Sequence, residues 1–177
     1  MKTQIIINKI ATVVLLIANL AITACSPNTS VYTVDQSIAP FVNEFYSEAA
    51  SRGIFFPQDS LIVKFNQDMP DNKLGECFFG GSLPPKVEVN PKFWSTASYW
   101  NKRELVFHEL THCLTEIKHN DTVDSKYAPT SIMNTYHLGE NYYNESTHVK
   151  YDNELFVEIA VVWENMQALA TSGNMSR

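Results

Sequence analysis

Hydrophobic positions recur along this chain with two different periods, and the switches between them outline an alternation of short strands and longer helices. Phe41, Phe45 and Ala49 repeat at helical spacing, with Pro40 early and Gly53 at the end, so residues 37–52 are predicted as a first helix. Residues 61–65 and 76–79 are short β-favouring runs. Gly80, Gly81, Pro84 and Pro85 mark a loop, after which Val87 and Val89 alternate with Lys86, Glu88 and Asn90 as in a half-exposed strand over 86–90. Residues 91–99 read as a connector holding Phe93 and Trp94, and a helix is predicted over 102–117. From His119 to Lys150 neither period is present, and an irregular segment of roughly thirty residues points to function or disorder. Leu155, Phe156, Ile159, Val162, Trp163 and Met166 then predict a final helix over 152–169. There are no internal repeats.

The helix over 102–117 carries the chemistry. His108, Glu109 and His112 form the zinc-hydrolase signature, two imidazoles one helical turn apart with a carboxylate beside the first. Positions i and i+4 share a face about 6 Å apart along the axis, so both rings can reach one tetrahedral Zn²⁺ while Glu109 flanks the position left for water. At about 100° per residue, Val106, Leu110, Cys113, Leu114 and Ile117 cluster at about 180° from His108, a buried stripe facing away from the histidines. Asn101 is the expected N-cap, with Glu104 completing a capping box. Catalytic zinc commonly takes three protein ligands. On a straight helix His119 would lie about 10 Å beyond His112, out of reach. It ligates only if the chain folds back after Thr115 or Glu116, and Lys118, Asn120 and Asp121 permit such a turn. A competing scheme draws the third ligand from Glu154 or Glu158 on the final helix.

Residues 1–24 begin with Lys2 and Lys9 and continue as an apolar run of about fifteen residues, short of the roughly twenty that span a bilayer. They read as a secretory signal. Ile22, Thr23 and Ala24 before Cys25 resemble the lipobox of bacterial lipoproteins. That resemblance implies a lipidated Cys25 and anchoring in the cell envelope, with Ser26 pointing to the outer membrane, facing the periplasm or the cell surface. The expected organisation is a 1–24 lipoprotein signal peptide, a 25–36 flexible tether rich in Ser, Thr, Pro and Asn, and a single 37–177 domain. Removing the signal leaves 153 residues with 11 basic and 19 acidic side chains, a net charge of −8 that argues against nucleic acid or an anionic membrane surface as partner. With Cys25 assigned to lipid, Cys77 and Cys113 remain. Export permits a disulfide between them, and the alternative is two buried free thiols.

His108, Glu109, His112, the later His119 and the run Ser131, Ile132, Met133 together resemble the metzincin clan, and more closely its matrixin-like metallopeptidases among bacterial lipoproteins. The resemblance runs from about residue 76 to residue 156, through KVEVNPKFW at 86–94, LVFHELTHCL at 105–114 and SIMNTYHLG at 131–139. It implies an α+β, zincin-like fold: a small mixed sheet with the active-site helix packed on it, a long Met-turn segment around Met133 and a C-terminal helix. It also implies Zn²⁺ held by His108, His112 and His119, with Glu109 as the catalytic base. Two departures stand out. The clan's third histidine follows the second by six residues with a glycine at the turn, whereas here the interval is seven and no glycine intervenes. Where some members carry a transition-state tyrosine two residues after the Met, this chain has Thr135, with Tyr136 one further on. His137 and His148 read as surface residues.

The expected activity is that of a zinc-dependent endopeptidase of the bacterial cell envelope, acting on a peptide or protein substrate. Water activated by the metal attacks the peptide carbonyl, and Glu109 takes the water proton and passes it to the leaving amine. The strand over 86–90 is expected to form the edge above the cleft and pair with an extended substrate. Phe93 and Trp94 either line a side-chain pocket or belong to the core. Two other readings remain open: a catalytically inactive zincin-like lipoprotein that binds a partner or metal, and a zinc amidohydrolase acting on cell-wall peptides.

Overall fold

β-Branched and aromatic runs too short for a helix pair into a sheet, and the longer apolar repeats fold as helices against it. The computed structural model describes residues 31–80 and 84–173; the expected signal peptide 1–24 and the lipidated Cys25 lie outside them. In chain order the elements are β1 (Tyr32–Val34), α1 (Ala39–Ser51), β2 (Leu61–Phe65), β3 (Gly75–Phe78), β4 (Lys86–Val89), α2 (Pro91–Thr96), α3 (Tyr99–Thr115) and α4 (His148–Gly173). The sheet runs β1-β2-β4-β3, with β1, β2 and β4 parallel and β3 antiparallel at one edge. This is a mixed α+β fold. Among the described residues no helix is long and apolar enough to cross a membrane.

Several expectations need correction. The strand over 86–90 is not an edge: β4 pairs with β2 on one side and β3 on the other, so the edge strand is β3. Its alternation misled because Glu88, on the polar-looking face, is buried and bonded by Lys86 and Asn66. The stretch 25–36, expected as a tether, contributes β1, a strand too short to show a period and held by parallel pairing with β2. The connector 91–99 contains α2, whose N-cap is Asn90, accepting from the Lys92 N–H, with Pro91 in the first turn. Helix α3 starts earlier than expected, because Ser98 and not Asn101 caps it: Ser98 Oγ accepts from the Asn101 N–H. No helix lies between α3 and α4, in line with the missing periodicity there.

Helix α3 is the centre of the molecule. It packs on β3, α1 and α4 and is therefore buried over most of its circumference, well beyond the single apolar stripe. Phe45 of α1 meets Phe107 of α3 and Phe156 of α4 with ring centroids 5.2 and 5.4 Å apart. A disulfide joins Cys77 of β3 to Cys113 of α3, tying the edge strand to the helix. Its ends lie 36 residues apart, so in the chain-entropy model it contributes about 3–4 kcal/mol.

Arg103 of α3 is 1% exposed and joins three helices. Its guanidinium donates to Glu44 of α1 at 2.6 Å and to Asp152 of α4 at 2.9 Å, over the ring of Phe107. Tyr143 donates a further hydrogen bond to Asp152. Removing one member of a buried charge group strands the others. Arg103→Ala is accordingly expected to lower stability by about 3–5 kcal/mol in urea denaturation; a loss under about 1 kcal/mol would show that the cluster does not hold the helices together.

Candidate metal centre

Helix α3 places His108 and His112 one turn apart, and two main-chain carbonyls orient them. Nδ1 of His108 lies 2.8 Å from the Ile132 carbonyl oxygen, and Nδ1 of His112 lies 2.6 Å from that of Ile117. A carbonyl only accepts, so each Nδ1 carries the hydrogen and each neutral ring keeps its lone pair on Nε2. Those two Nε2 atoms face each other at 3.0 Å. Facing lone pairs repel unless a cation lies between them, and two tetrahedral Zn–N bonds would space their nitrogens by roughly 3.3 Å. The donor set therefore fits a divalent ion such as Zn²⁺.

His119 joins them. The ligand atoms of His108, His112 and His119 all lie within 4.8 Å of one another. The fold-back that brings it there is made at Glu116, which ends α3 in the left-handed conformation (φ 59°, ψ 15°) and donates its N–H to His112 O. A residue with a Cβ thus does what a glycine would do elsewhere, at a cost of about 1–2 kcal/mol. After the turn, Asn120 N–H donates to Met133 O at 2.8 Å, and Asp121 accepts both the N–H and the hydroxyl of Thr135. These bonds bind the segment around His119 to the buried segment Ser131, Ile132, Met133. Glu154 and Glu158, the competing ligands, stay outside the cluster; each is half-buried on α4, and Ser131 bonds to Glu154.

Glu109 lies beside the histidines and is almost fully buried. It accepts the Cys77 N–H from the edge strand. Burial pushes its carboxyl up to about 8, and the nearby Glu76 adds to this while Lys73 opposes it. Burial also presses His108 down to about 4 and lowers His112, with the neighbouring imidazoles adding to the effect. Both rings thus remain neutral, the form that binds a metal.

A cleft of about 520 Å³ opens over the site. It is lined by Leu74 and Gly75, by Glu104, His108 and Glu109 of α3, and by His119, Tyr136 and His137. Gly75 is a further residue of the site: a Cβ there would sit 2.9 Å from Glu109 Oε1 and 3.0 Å from Leu105 Cδ1, so any larger residue would displace the carboxylate. Nothing local marks it in the sequence. Glu104 does not complete a capping box; it is buried and accepts from the main chain of Leu138 and Gly139. His137, expected at the surface, is half-buried against Glu104 and Phe93. Trp94 belongs to the core, while Tyr136 is 79% exposed on the rim. Met133 is fully buried, next to the Ile132 carbonyl that orients His108.

The arrangement of His108, Glu109, His112 and His119 is consistent with a zinc-protease active site. No family model, no curated protein and no solved structure matches this chain.

The buried carboxyl makes the metal-free protein sensitive to pH. Between about 4.5 and 8 folded Glu109 holds a proton that the unfolded chain has released, so stability from this group is present at the acid end and lost as pH rises to about 8. Glu109→Gln removes that loss. With chelator present, the variant is expected to exceed the parent by about 2–5 kcal/mol at pH 8 and to converge with it near pH 4.5. Thermal melts across this range check it; parallel pH profiles would contradict it.

Proposed function

We propose that this protein is a zinc-dependent endopeptidase of metzincin type, with Zn²⁺ held by His108, His112 and His119. The observation that carries the reading is the convergence of three imidazoles with a buried carboxylate alongside, in a cleft that the edge strand of the sheet borders. The buried Met133, adjacent in the chain to the carbonyl that orients His108, supports the likeness to a Met-turn. When bound, the metal supplies Lewis acidity toward water and the substrate carbonyl.

The chain's own residues do the rest. Glu109 accepts a proton from the attacking water and delivers it to the amine nitrogen as the C–N bond breaks. Its burial keeps it a strong enough base for the first transfer and a ready acid for the second. Leu74 O accepts from Asn90 N–H in the β3–β4 ladder, and hydrogen-bonded pairs alternate along antiparallel strands. Gly75 and Cys77 therefore turn their main-chain groups away from β4. Cys77 N–H is used by Glu109, which leaves Gly75 to pair with an extended peptide by strand addition. In place of the 86–90 strand, β3 is thus the proposed substrate guide. We extend the reading to location: the basic start, the short apolar run and the small residues before Cys25 support a lipid-anchored protein of the cell envelope.

The test uses zinc-loaded protein with a quenched peptide library and, separately, peptidoglycan fragments. Glu109→Gln is expected to keep one zinc per chain and lose about 10²–10⁴-fold in kcat, while His119→Ala loses zinc. Undiminished hydrolysis by Glu109→Gln would overturn the mechanism, and cleavage of peptidoglycan fragments alone would move the protein to the amidohydrolases.

A further inference from the structure

One wall of the cleft carries a histidine that the metal site does not use. His137 Nδ1 lies 3.0 Å from Glu104 Oε1, and its Nε2 lies 3.3 Å from Asn101 Oδ1. The ring stands edge-on to Phe93, with centroids 5.4 Å apart. Glu104 is 2% exposed, and its carboxylate also accepts the N–H groups of Leu138 and Gly139. His137 Nδ1 faces the same carboxylate oxygen that accepts from Leu138, which makes Nδ1 the donor of the pair. Nε2 is the ring atom that a ligand can take over from Asn101, and the side chain keeps 19% of its surface open. Glu104, His108 and His112 follow one another at intervals of four on α3. Glu104 therefore stands about one helical turn, roughly 6 Å, from His108 along the axis, and His137 lines the same cleft as His108.

We propose that His137 is a further catalytic residue of the peptide hydrolysis put forward above, on which this inference rests. It donates Nε2–H to the carbonyl oxygen of the scissile peptide as negative charge gathers there, and Glu104 is the positioning residue that fixes the ring. In the absence of substrate Nε2–H rests on Asn101. Both ring nitrogens face oxygen atoms, Glu104 Oε1 and Asn101 Oδ1. Tyr136, the other candidate for this role, is exposed on the rim, and its hydroxyl has no partner among the described residues.

The test compares the zinc-loaded full chain with His137→Phe, which keeps a flat ring against Phe93, and with Glu104→Gln. Three quantities are read: zinc per chain, kcat and KM for the best-cleaved member of a quenched peptide library, and the dissociation constant of a phosphinic dipeptide whose tetrahedral P–O⁻ mimics the charged carbonyl oxygen. His137→Phe is expected to keep its zinc and a KM within about twofold, to lose about 10²–10³-fold in kcat, and to bind the phosphinic dipeptide more weakly by a similar factor. Glu104→Gln is expected to lower kcat with KM unchanged; where it does not fold, His137→Phe decides alone. An unchanged kcat in His137→Phe, or zinc lost along with His137, overturns the proposal. Should the parent cleave no library peptide, the peptidase reading falls and the phosphinic dipeptide decides: tighter binding by the parent than by His137→Phe upholds the oxyanion site, and equal binding, including none, overturns it.

Discussion

Two main-chain carbonyls govern the chemistry of this protein. By accepting from Nδ1 of His108 and His112, Ile132 and Ile117 commit both rings to one tautomer and press their Nε2 lone pairs together at 3.0 Å. A helix alone would leave those rings free to rotate. The carbonyls belong to the aperiodic stretch between α3 and α4, so the metal centre depends on that stretch being folded around it. The left-handed turn at Glu116 and the bond from Asn120 to Met133 connect the two carbonyls to His119. Their cost is offset by the hydrogen bonds that follow and by whatever ion the three nitrogens hold.

Helix α3 also buries three charged residues within seven positions, and each is compensated differently. Arg103 finds two carboxylates, so its charge is matched and its role is structural. Glu104 finds two main-chain amides and an imidazole. Glu109 finds one amide, from Cys77, and burial drives its carboxyl upward. The least compensated of the three is the one set beside the histidines. Such an imbalance suits the base proposed for Glu109, because a fully satisfied buried charge has little to exchange.

What could be read in the sequence was local. The four-residue spacing of His108 and His112 is a property of one helix, and so is the apolar period that predicted that helix. The fold-back to His119 was readable as a steric requirement, but its location at Glu116 was not, since no glycine announces it. Strand order is another matter. The alternation over 86–90 describes a strand and says nothing of its neighbours, so it does not distinguish the internal β4 from the edge strand β3. Gly75, Glu104 and His137 escaped for the same reason: each is defined by a partner far away in the chain, 34 residues for Gly75 and Glu109 and 33 for Glu104 and His137. Ser98 and Asn90 are different, because both are cap-forming residues placed just before their helices and are legible in the sequence.

Whether three imidazole nitrogens converge on one ion is decided by X-ray absorption fine structure of the zinc-loaded protein. Three imidazole ligands at about 2.0–2.1 Å are expected, with one oxygen donor completing four-coordination. A spectrum fitted by two imidazoles, or by two imidazoles and a protein carboxylate that persists in Glu109→Gln, would contradict this coordination.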